Sequence, residues 1–203
     1  MKKLICLSLI CILLFSVCSC NIITTDKNTI GKAANSAVTV YTALEENFTL
    51  REMTGYSLYG IRLRVNSENV GTYTYVYTNK RPDDMSYSDI LVVEVNNRTG
   101  RIEKFSSPDY ETYAEAPYDM IKTAMPLDPS SFAVDSDAAM KTATKTHFGN
   151  NFIYNYVDTR IVYENGAYIY DIDHISLVNN CVYNTVIDAM TGAVITSGVE
   201  ELE

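Results

Sequence analysis

Two stretches of this chain, 92–102 and 184–194, follow one plan, and that plan limits what the chain can become. In each, a β-rich run enters a polar turn, a Thr-Gly pair closes it (Thr99-Gly100 and Thr191-Gly192), and a branched apolar residue, Ile102 or Val194, restarts the strand. Glycine takes the left-handed backbone that ends a type I turn with a G1 bulge, which most side chains resist. Both stretches therefore predict antiparallel hairpins.

The elements upstream repeat as well. Before the first hairpin, Ala37, Tyr41, Leu44 and Phe48 recur at helical spacing within 31–48, followed by strand-like 58–65 and 71–79. Before the second, Ser136 or Asp137 can cap a helix carrying Met140, Ala143, His147 and Phe148, with Gly149 as its stop. Strand-like 154–163 and 167–177 follow, joined by Asn165-Gly166, a strong two-residue hairpin signal. The expected fold class is α+β, two repeats of one helix packed on a four-stranded antiparallel sheet, at 31–106 and 132–203. Between them, 107–131 holds Pro108, Pro117, Pro126 and Pro129 and reads as a linker, with a short helix around 118–124.

The amino terminus has a different character. Lys2 and Lys3 precede an apolar run, 4–17, that gives way to Val17-Cys18-Ser19-Cys20. About fourteen apolar residues suit the central region of an export signal and are short for a membrane span. Cleavage before Cys20 places Ser19 at −1 and Val17 at −3, a better arrangement than Cys18 offers. The segment resembles a bacterial lipoprotein precursor, with an ordinary secretory signal as the alternative. The resemblance implies a signal peptide over 1–19, a diacylglyceryl group on the Cys20 thiol and a polar tether over 20–30. Each buried methylene contributes about 0.8 kcal/mol, so two or three acyl chains hold where one would not. The domain would then be anchored through lipid to the cell envelope, facing outside the cytoplasm.

Removing the leader, which has two lysines and no acid, takes the formal net charge from −9 to −11. Such an exterior argues against nucleic acid and against a basic patch for anionic lipid. It also leaves Cys181 as the one thiol outside the leader and its lipidated end, so no intramolecular disulfide is expected. Cys181 reads as a buried small apolar residue at a strand start.

The order of elements, and above all the closing turns at 95–102 and 187–194, resembles the PepSY family of peptidase-propeptide domains, in two copies. Two tandem helix-plus-four-strand units on an exported chain are also similar in arrangement to β-lactamase inhibitory proteins. The resemblance implies binding to an extracytoplasmic protein partner, a protease or cell-wall enzyme that the chain restrains. A carbohydrate- or peptide-capturing lipoprotein without inhibitory activity is the alternative.

Catalytic signatures are missing: beyond the leader there is no His-Glu-x-x-His, Gly-x-Ser-x-Gly, phosphate loop or paired-cysteine motif. The expectation is a non-enzyme without cofactor or metal. Asp171, Asp173 and His174 could be hard-metal ligands, but solvated strand carboxylates are the plainer reading, and His147 suits a core or boundary histidine. Tyrosine is the unusual component, 16 residues against 6 Phe and no Trp. A period of two places Tyr73, Tyr75 and Tyr77 on one sheet face, and Tyr168 and Tyr170 repeat the pattern. These rings either form a partner-binding surface or cover the helix. Arg62 and Arg64 alternate with Ile61, Leu63 and Val65, so they should point to the open face. There they meet a partner's carboxylates or are balanced by Glu94 or another neighbouring acid.

Overall fold

The computed structural model describes residues 32–33, 40, 42–43, 55–68, 70–79, 90–106, 125–149 and 154–202. The leader, Cys20, the tether and the helix expected around 118–124 lie outside them. Of the helix expected within 31–48, Ala33, Val40, Thr42 and Ala43 are described and are helical.

In chain order the elements are β1 (Ser57–Asn66), β2 (Gly71–Thr78), β3 (Ile90–Asn96), β4 (Ile102–Ser106), a 3-10 turn (Pro129–Ser131), α1 (Ser136–Phe148), β5 (Tyr156–Glu164), β6 (Ala167–Ser176), β7 (Cys181–Asp188) and β8 (Val194–Glu201). All eight strands belong to one antiparallel sheet of order β4-β3-β2-β1-β5-β6-β7-β8. The fold is therefore mainly β. This corrects the expectation of an α+β chain in which two helices each cover a separate four-stranded sheet. The physical reason is the β1/β5 pairing, which runs from Ile61 opposite Ile161 to Asn66 opposite Tyr156. Left apart, these strands would each present a row of unpaired N–H and C=O groups; joined, they become the centre of the sheet. Side-chain alternation specifies a strand's faces but not the neighbour along its edge.

α1 is the one helix whose bounds the structure describes. Its N-cap is Asp135, whose side chain accepts from Ser136 N at 2.5 Å, one residue before the caps read from sequence. Gly149 closes it at φ 58 with its N–H on Lys145 O. Its buried residues, Ser136, Ala139, Ala143 and Thr144, are all small, so the helix lies close on β6 and β7. Beneath the helical layer the main core gathers Leu63, Val65, Val93, Val95, Ile161, Ile172 and Ile187. Val76, Val92, Val162 and Ile169 point to the opposite face and form a second buried cluster with Tyr59 and Ile90.

The two Thr-Gly turns share one set of bonds. Asn96 Oδ1 accepts from Arg98 N and Thr99 N, and Asp188 Oδ1 from Met190 N and Thr191 N. Gly100 N donates to Asn96 O and Gly192 N to Asp188 O, both at 2.8 Å. The glycines take φ 70 and 74, and a register shift in each flanking ladder marks the bulge. The Asn165-Gly166 turn has φ 52 and 88, the left-handed pair that a two-residue hairpin demands.

A Cβ on Gly192 would adopt φ +74 and also meet Val134 Cγ1 at 2.9 Å, whereas one on Gly166, at φ +88, would have nothing within 4 Å. Gly166→Ala should therefore cost about 1 kcal/mol from backbone strain alone, and Gly192→Ala about 2 kcal/mol or more. Urea midpoints of the two variants check the order.

Candidate functional site

Two polar rows cross the sheet on the face opposite α1. In one, Glu94, Thr74, Arg62, Arg160 and Asp171 stand side by side on β3, β2, β1, β5 and β6. In the next, Asn96, Thr72, Arg64, Asp158, Asp173 and Asn184 do so, reaching β7. Register sets Arg62 opposite Arg160 and Asp158 opposite Asp173, and like charges directly opposite repel.

The side chains resolve this by pairing diagonally and outward. Arg62 grips Asp158 with two parallel bonds, Nε to Oδ1 at 2.8 Å and Nη2 to Oδ2 at 2.6 Å, and Arg64 Nε adds a third at 3.0 Å. Arg160 pairs with Asp171. Asn184 Nδ2 donates to Asp171 Oδ1 at 2.7 Å and Asp173 Oδ1 at 2.8 Å, bridging two acids that would otherwise repel. Burial raises the Asp173 carboxyl above its usual range, with the Asp171 and Asp158 charges adding and the Asn184 bond opposing.

The row is fixed at its centre and open at its surface. The side chains of Arg62 and Asp158 are each 18% exposed, against 62% for Arg64 and 41% for Arg160. Tyr156, 42% exposed, stands on this face beside Asn66 and Ile175. Arg62 and Arg64 thus lie on the open face, both bonded to Asp158 of the second half of the chain. Sequence reading missed Asp158, Arg160, Asn184 and Tyr156. The alternation Tyr156, Asp158, Arg160 was the available signal, but only the β1/β5 register shows what it faces.

The candidate tyrosines lie on the covered face. Tyr73, Tyr75, Tyr77 and Tyr170 are at most 2% exposed, and Tyr168 is half-buried against the same core. Tyr75 OH donates to Ala33 O at 3.0 Å, Tyr170 OH to Val134 O at 2.8 Å and Tyr168 OH to Pro126 O at 3.3 Å. Burial pushes the Tyr73 hydroxyl up to about 12 and raises that of Tyr170 too, with the Asp135 and Asp137 charges adding to both. The rings of Tyr73, Tyr75, Tyr77 and Tyr170 are packed under the helical layer, and only Tyr168 keeps part of its surface.

Asp171 and Asp173 share the open face, but His174 points the other way. It is fully buried, with Nε2 2.9 Å from Thr144 Oγ1 and its ring against Tyr154 and Phe148. Burial lowers it to about 4, with the neighbouring His147 adding to the shift. The three are therefore not one ligand set, and among the described residues no group of three or more His, Cys, Asp or Glu could hold a metal. His147 sits at the boundary, its Nε2 within 2.9 Å of Asn184 O and 2.8 Å of Thr185 Oγ1. Cys181 opens β7 half-buried rather than buried, its thiol donating to Asn179 O at 3.2 Å.

No family model matches the chain, and no curated protein matches it, so the resemblance to peptidase-propeptide domains and to β-lactamase inhibitory proteins gains no support. A candidate lipoprotein (CD1622) from Clostridium difficile 630, known from a crystal structure, is similar in fold. Its TM-score is 0.52 at 14% identity, over 79% of this chain and 92% of that one. Likeness at that identity shows a shared fold. Among the described residues no helix is long and apolar enough to cross a membrane.

Asp158→Ala would strand Arg62, one of whose bonds is 2.6 Å long, in a part-buried position, and should cost about 2 kcal/mol. Arg64→Ala, at a side chain 62% exposed, should cost about 0.5 kcal/mol or less. Chemical denaturation of the two variants separates them. His174 gives a pH dependence. The unfolded ring takes a proton near 6.5 and the folded one near 4, so stability present above 6.5 is lost as pH falls through that window. The raised Asp173 acts with the opposite sign. Urea midpoints of His174→Phe should fall less between about pH 7 and about pH 5 than those of the natural chain.

Proposed function

We propose that this chain is a membrane-tethered extracytoplasmic lipoprotein that binds a protein partner through the open face of its sheet, restraining a protease or cell-wall enzyme. The leader and Cys20 support the tether, and the fold shared with a candidate lipoprotein agrees with it. The observation that carries the binding reading is the open-face row itself. Arg64, Arg160 and Tyr156 are 62%, 41% and 42% exposed, while Asp158 and Asp171 hold the guanidiniums in place from below. Arginine and tyrosine are the residues from which protein interfaces draw most of their affinity, and a guanidinium already oriented loses less entropy on binding. Capture of a carbohydrate or small peptide on the tyrosine faces is the weaker alternative, because Tyr73, Tyr75, Tyr77 and Tyr170 are covered.

The full lipidated chain in neutral detergent, used as bait on extracytoplasmic proteins of its own cell, should recover a partner whose activity falls when the chain is added. The double variant Arg64→Ala, Tyr156→Ala should keep its circular dichroism and lose that partner. Recovery by both baits alike would move the contact off this face. If neither recovers anything, the protein-binding reading fails.

A further inference from the structure

A second surface lies at the end of the sheet. β8 is the last strand in the order, no described strand lies beyond it, and every one of its eight residues is exposed. Its sequence, Val194-Ile195-Thr196-Ser197-Gly198-Val199-Glu200-Glu201, has no lysine, arginine or proline, and the charges that discourage edge pairing are confined to Glu200 and Glu201 at its end. Val194, Ile195 and Val199 are 41%, 54% and 56% exposed.

The backbone at this edge can be followed residue by residue. Leu202 N donates inward to Asn180 O, and Ala189 N donates to Tyr168 O on the other side of β7. Alternate residues of an antiparallel strand bond to alternate sides. Thr196, Gly198 and Glu200 therefore bond to Val186, Asn184 and Val182, their register partners on β7. Ser197, Val199 and Glu201 turn their N–H and C=O groups outward. What satisfies such a row is another extended backbone, as β5 satisfies the edge of β1. Val199 and Glu201 share a face, so an added strand would set an apolar side chain beside Val199 and a cation two positions along, beside Glu201. A second copy is disfavoured because the whole chain carries a net charge of −9.

We infer that the free edge of β8 accepts an extended, lysine- or arginine-bearing segment of a partner protein as a ninth strand. The surface is independent of the arginine–aspartate row, so failure here leaves the bait result with Arg64 and Tyr156 standing.

The probe is a fluorescent, N-acetylated peptide of about eight residues, with valine and lysine alternating along one face and threonine along the other. It is titrated by anisotropy into the full chain in neutral detergent. Binding should be saturable. It should weaken at least about tenfold when alternate peptide amides on the pairing edge are N-methylated, which keeps charge and apolar surface but removes donors. Val199→Pro should weaken it similarly, because proline there removes an outward N–H and leaves the inward ladder intact. Replacing the peptide lysines by glutamate should abolish binding. No binding by the parent peptide, or equal binding by the N-methylated one, overturns the inference whether or not Val199→Pro folds. Sedimentation showing that the natural chain dimerises through β8 overturns it in favour of a second copy.

Discussion

The rest of this structure depends on the pairing of β1 with β5. Each of these strands would otherwise end a four-stranded sheet, and each carries charge on its outer face: Arg62 and Arg64 on one, Asp158 and Arg160 on the other. Backbone hydrogen bonds alone would join them at almost any register. The two-pronged grip of Arg62 on Asp158 favours one of them. Shifted by one residue, Asp158 would point into the apolar layer and Ile161 to solvent. Apolar alternation excludes that shift, the ion pair favours this register over those two residues away, and the register assembles the polar row. Since the side chains of Arg62 and Asp158 are only 18% exposed, the desolvation cost is large, and what the pair supplies is specificity more than net stability.

The tyrosines show why composition can be read in two ways. A core under a helix is usually aliphatic, and tyrosine-rich strands suggest a contact surface. Here the rings reach through the core to backbone carbonyls at Ala33, Val134 and Pro126. Val134 and Pro126 lie in the irregular stretch before α1, where no ladder supplies those carbonyls with donors. Phenylalanine would fill the same volume and leave the carbonyls unpaired, a cost of about 1 to 3 kcal/mol each where they are buried. The hydroxyls fasten irregular chain to a regular sheet, which makes them structural despite their polarity. With Cys181 as the one cysteine beyond residue 20, such side-chain to backbone ties do part of what disulfides do in disulfide-bonded folds.

Local structure was largely legible because it is written in adjacent residues. Asn96 and Asp188 begin their turns and Gly100 and Gly192 end them, within a span where short-range sterics decide. Strand positions followed from alternation, and α1 from its spacing and Gly149. The sheet's order was not legible, since the β1/β5 partnership joins residues about 95 positions apart and no periodicity records it. The same gap hid the site. Arg62 and Arg64 could be assigned to the open face from their own strand, but Asp158, Arg160 and Asn184 become their neighbours only through pairing. The tyrosine faces were undecided for a related reason, because period two says which residues share a face and leaves open which face is covered.

The division of labour across the sheet follows from these constraints. The helical layer takes the tyrosine face, which leaves the polar rows of the opposite face and the β8 edge as the two described sheet surfaces open to contact. Those two surfaces differ in kind. The charges of the open face are already paired with one another, Arg62 and Arg64 with Asp158 and Arg160 with Asp171, so a partner there would have to offer groups that compete with contacts already made. That arrangement favours selectivity over strength. At the β8 edge an added strand would be held mainly by backbone groups, with Val199 and the two glutamates at its end setting the side-chain preference. A partner engaging both would gain orientation from the edge and identity from the face. Because the face is held rigid by the central seam, the two surfaces keep a fixed relation to each other within one sheet.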